Sequence, residues 1–278
     1  MRLGTRSVPS PGSNAFVRLR HRRATPTHTI TDRESVRAFV EADPIGNAIV
    51  WDRIFQQPGY EVYAEGDPAR GVLSVQRARS PTGANFIALA VRDADAAGCL
   101  AEAIPRGFTI LHLTDEFPLP VLEPRAEEFR PLPAWLFELL PQDFVDHPDD
   151  RVRPLDADWA GRIAKLWEPD WPAEGYVRRR IEGGPTAAIY EGGEPIAWAL
   201  THTITDRVGV IGIVHVLEGN RRKGLARSVV AAVVRELQGL GKRPTLHAYV
   251  DNVASLSLFP TLGFHKVKRQ VWGEAVFR

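Results

Sequence analysis

The chain has 278 residues, of which 44% are apolar, 25% charged and 9% aromatic, the profile of a globular protein with one large domain or two of ordinary size. Lys+Arg number 35 against 34 Asp+Glu, so the formal charge is +1 and no global basic excess points to nucleic acid. The location of the charge says more than its sum: residues 1–24 hold six arginines and no acid, which leaves 29 bases against 34 acids in the rest.

The longest apolar runs, Phe86–Val91 and Val229–Val234, are far shorter than the roughly 20 residues that cross a bilayer. The arginine-rich start lacks the apolar core of a secretory signal, and it reads as a disordered extension over 1–28 with a superficial likeness to an organelle transit peptide. Cys99 is the lone cysteine, so neither a disulfide framework nor a cysteine metal cluster is expected. A cytoplasmic protein with no metal and no membrane partner fits these counts.

From Thr31 the pattern predicts helices over about 32–42, with Thr31 or Asp32 as cap, and over 45–57. Strands follow at Tyr60–Glu65, Gly71–Ala78 and Asn85–Val91, then a helix near Asp93–Ala103 and a strand near Thr109–Thr114. Six prolines between Pro118 and Pro141 argue against any central strand there. Residues 116–150 therefore read as a connection, broken by a short helix at Ala134–Leu140.

The second half opens with a strand at Val152–Leu155 and helices over Ala157–Trp167 and Glu174–Glu182. Strands at Thr186–Glu191, Pro195–Thr203 and Val208–Val216 come next. A strong amphipathic helix is then marked by Leu225, Val229, Val230, Val233, Val234, Leu237 and Leu240 at steps of three and four. A strand at Thr245–Val250, a short helix at Val253–Leu262 and two strands at Lys266–Val271 and Glu274–Phe277 complete it. The first half repeats the central order ααβββαβ, which suggests a duplication.

The junction between the strand ending at Val216 and the amphipathic helix carries the chemistry. Arg221-x-x-Gly224-x-Ala226 lies where backbone N–H groups have no internal partners and the helix dipole favours an anion. Gly224 and Ala226 permit close approach, and Arg221, Arg222, Lys223 and Arg227 add positive charge. That layout suits a pyrophosphate. A second string stands at the end of the next strand: Asn252-Val-Ala-Ser255, then Leu258-Phe259-Pro-Thr-Leu262-Gly263-Phe264.

Together, in this order and on these elements, the two motifs resemble the GNAT superfamily of acyl-coenzyme A-dependent N-acyltransferases. The stretch Glu194–Trp198 before the motif strand is similar to the glycine N-acyltransferase branch. The resemblance covers 151–278 by motif and 29–115 by element order alone. It implies an α/β (α+β) fold of tandem GNAT-like mixed sheets flanked by helices, the first half degenerate. It also implies acetyl-coenzyme A or another acyl-coenzyme A as co-substrate and transfer to the amine of a small molecule such as an amino acid. In the family pattern, main-chain groups of Val214 and Val216 pair with the pantetheine arm. Amides of Arg222, Lys223, Gly224, Ala226 and Arg227 hold the pyrophosphate, Asn252 bonds the pantetheine, and Phe259 takes the place of a tyrosine beside the thioester sulfur.

Two departures stand out. The usual glutamate six residues before Val216 is Val210, and Phe259 has no hydroxyl, so both customary proton-transfer groups are missing. His215 on the motif strand and His247 and His202 on its neighbours are substitutes in the right pKa range, of which His215 and His247 are the catalytic candidates. By strict alternation His215 faces away from Val210 and needs a bulge to reach the reaction side. Pro260 predicts an early end to the helix it sits in. The corresponding junction of the first half, with Asp93 and Asp95, would repel a pyrophosphate. The alternative function is a non-catalytic acyl-coenzyme A binder; the assembly expected is a monomer or homodimer.

Overall fold

The computed structural model describes residues 28–30, 32–80 and 83–278. The basic extension expected over 1–28 lies outside them, except for His28, which pairs with Ala64. Thr31 lies outside as well, and Asp32 is the cap, its carboxylate accepting from the Glu34 amide.

In chain order the elements are β1 His28–Ile30, α1 Arg37–Glu41, α2 Ala48–Trp51, β2 Glu61–Glu65, β3 Gly71–Gln76, β4 Asn85–Val91, α3 Ala94–Ala101, β5 Gly107–Leu113, α4 Leu119–Leu122 and β6 Ala126–Glu138. Then follow β7 Val152–Arg153, α5 Ala160–Trp167, α6 Glu174–Gly183, β8 Thr186–Glu191, β9 Glu194–Ile204, β10 Val208–Val216, α7 Leu225–Gly239, β11 Arg243–Tyr249, α8 Val253–Leu258 and β12 His265–Phe277. Both early helices are shorter than the sequence predicts: α1 is preceded by a 3-10 turn and α2 runs on as a π-helical turn, Asp52–Gln56.

The twelve strands of the described residues form one mixed sheet in the order β1-β2-β3-β4-β5-β12-β6-β11-β10-β9-β8-β7. Its centre is the long antiparallel pair β6–β12, and each of the two lies next to strands from the other end of the sequence. Strand alternation places α3, α4, α7 and α8 over one face, where the valines of α7 meet Phe137, Ile211, Leu246 and Phe264. The other face is covered by α1 and α2 over β3 and β4, and by α5 and α6 over Trp198 and Leu200.

Two expectations fail at the sheet centre. The helix expected at Ala134–Leu140 is instead the end of β6, and the proline-rich stretch supplies a central strand after all. Prolines are tolerated because β11 pairs only with residues 134–138 of β6 and its last bond reaches the Pro133 carbonyl, leaving 126–132 bonded on one side. Pro131 and Pro133 are two apart, so both turn their donor-less nitrogens toward that open side, where the Pro133 carbonyl accepts the Val250 amide.

The two final strands expected are one strand, β12, because Gly273 marks a close approach and not a break. A Cβ there would stand 2.5 Å from the Arg130 carbonyl oxygen of β6 and 3.1 Å from Pro131 Cα. Gly273→Ala is therefore expected to cost about 1–3 kcal/mol through overpacking against backbone that cannot move aside. A denaturant titration showing an unchanged midpoint would contradict this.

Candidate active site

The site is built where β10 and β11 part. They pair in parallel from Val208↔Arg243 to Ile211↔Leu246 and no further, so Gly212 and His247 are the first residues of an open gap. On its other edge β10 stays bonded to β9, but with a bulge: between Gly212↔Leu200 and His215↔Trp198 it advances three residues against two. Ile213 takes a φ of 49°, a left-handed conformation that a β-branched residue adopts only at a cost.

The bulge resets the faces. Val210 lies under α2 with Ala48 and Ile49, and His215 now faces the same side, stacked on Trp198 at 4.8 Å between ring centroids. Val214 and Val216 turn their side chains toward α7. The Leu217 amide donates to Ile196 of β9, so by alternation the main-chain groups of Val214 and Val216 point into the gap. The Val216 carbonyl accepts from Arg221 Nε at 3.2 Å.

Past β10 the chain makes a 3-10 turn, Glu218–Asn220, and then a tight approach to α7 in which Arg222 (φ 61°) and Gly224 (φ 81°) are both left-handed. Gly224 is the N-cap of α7 and has no side chain to offer a cap, and a Cβ there would meet nothing within 4 Å. Among the described residues, the amides of Arg222, Lys223, Gly224, Leu225 and Ala226 find no protein acceptor. The Arg227 amide, expected to face an anion, is already used, donating to the Gly224 carbonyl at 3.0 Å; Leu225 takes its place among the free donors. Arg221, Arg222, Lys223 and Arg227 join no ion pair among the described residues. Free amides, left-handed turns and unpaired cations together make an anion cradle. In the first half the matching junction is closed: the Asp93 carboxylate accepts from the Ala96 amide and caps α3.

Two other expected residues sit differently. The Asn252 side-chain oxygen accepts from the Ser255 amide and caps α8, so only its NH2 is left for a ligand. Phe259 is buried in the core, 6.0 Å between ring centroids from each of Phe137 and Phe264, and lines no open surface. Helix α8 does end at Leu258, just before Pro260, and continues as the 3-10 turn Phe259–Leu262.

At the apex of the gap, two imidazoles flank Gly212. His202 lies over it so closely that any Cβ would overlap the ring, and its Nδ1 meets the Tyr176 hydroxyl at 2.7 Å. Burial, then the positive Arg180 and the proximity of the His247 ring, push His202 down to about 3. His247 bonds Gln270 Oε1 through Nε2 at 2.7 Å, and burial pushes it down to about 4 against the weaker opposing effect of that bond. Both rings are therefore neutral near pH 7. His215 is also lowered, first by burial and then by Arg221.

These shifts carry a sign. Unfolded, His247 titrates near 6.5, so between pH 6.5 and about 4 the unfolded chain holds the extra proton. Stability is thus complete above pH 6.5 and falls as the pH drops toward 4, by on the order of 3 kcal/mol for His247 alone. His247→Gln should flatten that acid limb; a denaturation midpoint with the same pH slope in the variant would refute the assignment.

The first half reaches into this site. Gln56 Nε2 donates to the Ile204 carbonyl at 2.7 Å, and Asp52 on the π-helical turn pairs with Arg180 of α6 at 3.4 Å. π-helical turns concentrate at functional sites, and this one follows directly on α2, whose Ala48 and Ile49 pack on Val208 and Val210 of β10. Sequence reasoning weighed His202 and missed Tyr176, Arg180, Asp52 and Gln270, which carry no motif and come together only through the sheet order.

Comparison with known proteins bears on the fold. Residues 189–273 match the family model described as FR47-like protein, a span that includes β9, β10, α7 and β11. No curated protein sequence gives a significant match. Among solved structures, a Drosophila protein aligns with a TM-score of 0.69 at 16% identity over 90% of this chain and 98% of its own. A GNAT-family acetyltransferase from Colwellia psychrerythraea gives 0.58 at 11% identity, covering 91% of this chain and 100% of its own. A tandem GNAT protein from the clavulanic acid biosynthesis pathway gives 0.55 at 12%, covering 91% and 98%. At such identities the likeness is one of fold. The chain is a mixed α/β protein whose large helix-flanked sheet is similar to that of the GNAT acetyltransferases, with an FR47-like match lying across the gap and the anion cradle.

Proposed function

We propose that the chain is an acyl-coenzyme A-dependent N-acyltransferase, with acetyl-coenzyme A as the simplest donor and a small-molecule amine, such as an amino acid, as acceptor. The observation that carries this reading is the set of free amides over Arg222–Ala226 opening onto the gap between β10 and β11. A diphosphate needs those donors, and an extended amide-bearing arm needs the free strand edge beside them. The Val214 and Val216 main chains would serve the arm, the Asn252 NH2 would reach it from β11, and Arg221, Arg222, Lys223 and Arg227 would neutralise the phosphates. In this reading residues 151–278 hold the coenzyme, while 29–115 roof the acceptor pocket through α2 and its π-helical turn.

Bound acyl-coenzyme A supplies the thioester carbonyl; the chain must orient an amine against it and take a proton. His247 is the base. It stands at the apex of the gap, is neutral, and keeps a partial opening to solvent although protein surrounds it closely. Its Nδ1 lone pair accepts the amine proton as the N–C bond forms and the C–S bond breaks. His215 lies three residues further along β10, beside the arm and not the apex. Val210 is covered by Ala48 and Ile49, which leaves no room for a base where the superfamily usually places one.

The test is free-thiol release from acetyl-coenzyme A with a panel of amino acids and other small amines. Amine-dependent release is the expected result. Tight binding without release over the whole panel would establish the alternative, a non-catalytic acyl-coenzyme A binder.

A further inference from the structure

The strand registers give the repeat suggested by the element order an approximate two-fold axis. Ala134 of β6 pairs with Gln270 of β12, and Leu136 and Trp272 lie two residues beyond each. Leu136 pairs with His247 of β11, and Trp272 pairs with His112 of β5. A rotation about the sheet normal through the Ala134↔Gln270 pair therefore carries His247 onto His112. The same rotation exchanges Gln270 with Ala134, so only one of the two equivalent positions carries a polar side chain.

Both histidines use that one residue. His112 Nε2 lies 3.1 Å and His247 Nε2 lies 2.7 Å from Gln270 Oε1. The amide is oriented by its other end, because Gln270 Nε2 donates to the Gly46 carbonyl at 2.8 Å and the Thr114 carbonyl at 3.4 Å. Carbonyls only accept, so the oxygen must face the rings and each Nε2 must carry a proton. In a neutral imidazole the lone pair is then on Nδ1.

The two rings differ in what lies beyond them. In the first half β4 and β5 stay paired past His112, through Ala88↔His112 and Leu89↔Leu113; His112 is fully buried and its Nδ1 has no partner among the described residues. In the second half the pairing stops one residue short of His247, opposite Gly212. One sheet geometry thus yields a sealed imidazole and its equivalent at an open gap.

We infer that Gln270 is a positioning residue: by accepting Nε2–H from His247 it fixes the tautomer that presents an Nδ1 lone pair to the reaction centre, while His112 is the retired counterpart on the same acceptor. This rests on the acyltransferase reading for its purpose and on the hydrogen-bond network for its existence, and the two are tested separately.

The existence test is 15N NMR of the full chain labelled in histidine, with the His247 signal assigned by its loss in His247→Gln. Wild type should show His247 as the Nε2–H tautomer. Gln270→Met, close in length but without the acceptor, should relax it to the tautomer mixture of an unrestrained imidazole, with Nδ1–H detectable beside Nε2–H, and Gln270→Glu, which keeps an acceptor oxygen, should restore Nε2–H alone. Should Gln270→Met fail to fold, Gln270→Asn withdraws the oxygen by one methylene and reads the same loss. His112→Phe should leave the His247 tautomer as in wild type. An unchanged tautomer in the acceptor-less variant overturns the inference. For purpose, kcat for thiol release should fall 10- to 100-fold in Gln270→Met with little change in KM for acetyl-coenzyme A, and recover with Glu. A shifted tautomer with unchanged kcat overturns the positioning role and leaves the activity standing. Absence of any thiol release by wild type removes the acyltransferase reading, while the tautomer still decides whether Gln270 sets His247.

Discussion

Acetyl-coenzyme A binding, followed by calorimetry, should be lost in Gly224→Glu and only weakened in Gly224→Ala. Gly224 has a φ of 81°, so any side chain there costs on the order of 1–2 kcal/mol in backbone strain. Nothing within 4 Å would meet the new Cβ, so alanine adds strain and little else, and affinity should fall about tenfold. Glutamate also places a carboxylate among the amides of Arg222–Ala226 and offers Arg221, Arg222, Lys223 and Arg227 an internal partner. Each charge-assisted hydrogen bond forfeited is worth about 1.5–3 kcal/mol, so losing two or three of them puts binding beyond ordinary detection. Equal binding by wild type and Gly224→Glu would refute the cradle. Gly224→Ala losing as much as Gly224→Glu would mean that backbone shape, and not charge, is what the site requires.

His247→Gln should lower kcat by about a hundredfold or more, within the range that general bases contribute, with KM for acetyl-coenzyme A nearly unchanged. In the proposed function the coenzyme lies elsewhere, at the turn before α7 and the free edge of β10, which is why the effects should separate. His215→Gln is the matched control. Its ring stacks on Trp198 and lies three residues from the apex, so a change of less than about threefold is expected there. If His215→Gln proved the crippling variant, the base would have to be reassigned and the bulge would be its enabling feature. Because His247 titrates near 4 when folded, it does not limit the rate between pH 5 and 8. The acid limb in that range should follow the pKa of the acceptor amine and move when the acceptor is changed.

Where sequence signals were local, they read well. Asn85–Val91, Thr186–Glu191 and Val208–Val216 form strands with the bounds expected, since apolar runs between turn residues suffice to define them. The left-handed turn before α7, with its unbonded amides, was legible in part, because glycine acts through a single turn, while the Arg227 amide proved to be used within the chain. What escaped depends on partners remote in sequence. Pro131 and Pro133 disqualify a strand only if both its edges are bonded, and one edge is open. Gly273 reads as a break until the Arg130 carbonyl appears against it. The bulge that turns His215 over is centred near Ile213, a residue whose propensity argues against a positive φ. Gln270 looks like any polar residue in a strand until three chain segments converge on its amide.

The exchange of β6 and β12 across the sheet has a consequence for biosynthesis. During translation β5 and β6 leave the ribosome long before residues 265–277, and the partner that joins them does not yet exist. Two unsatisfied strand edges must wait, which is the condition under which nascent chains recruit chaperones or aggregate. Nor can a protease cut near residue 150 release a self-sufficient C-terminal piece, because residues 151–278 would lack β6, the strand that lies between β11 and β12. The inheritance of this architecture is all or nothing.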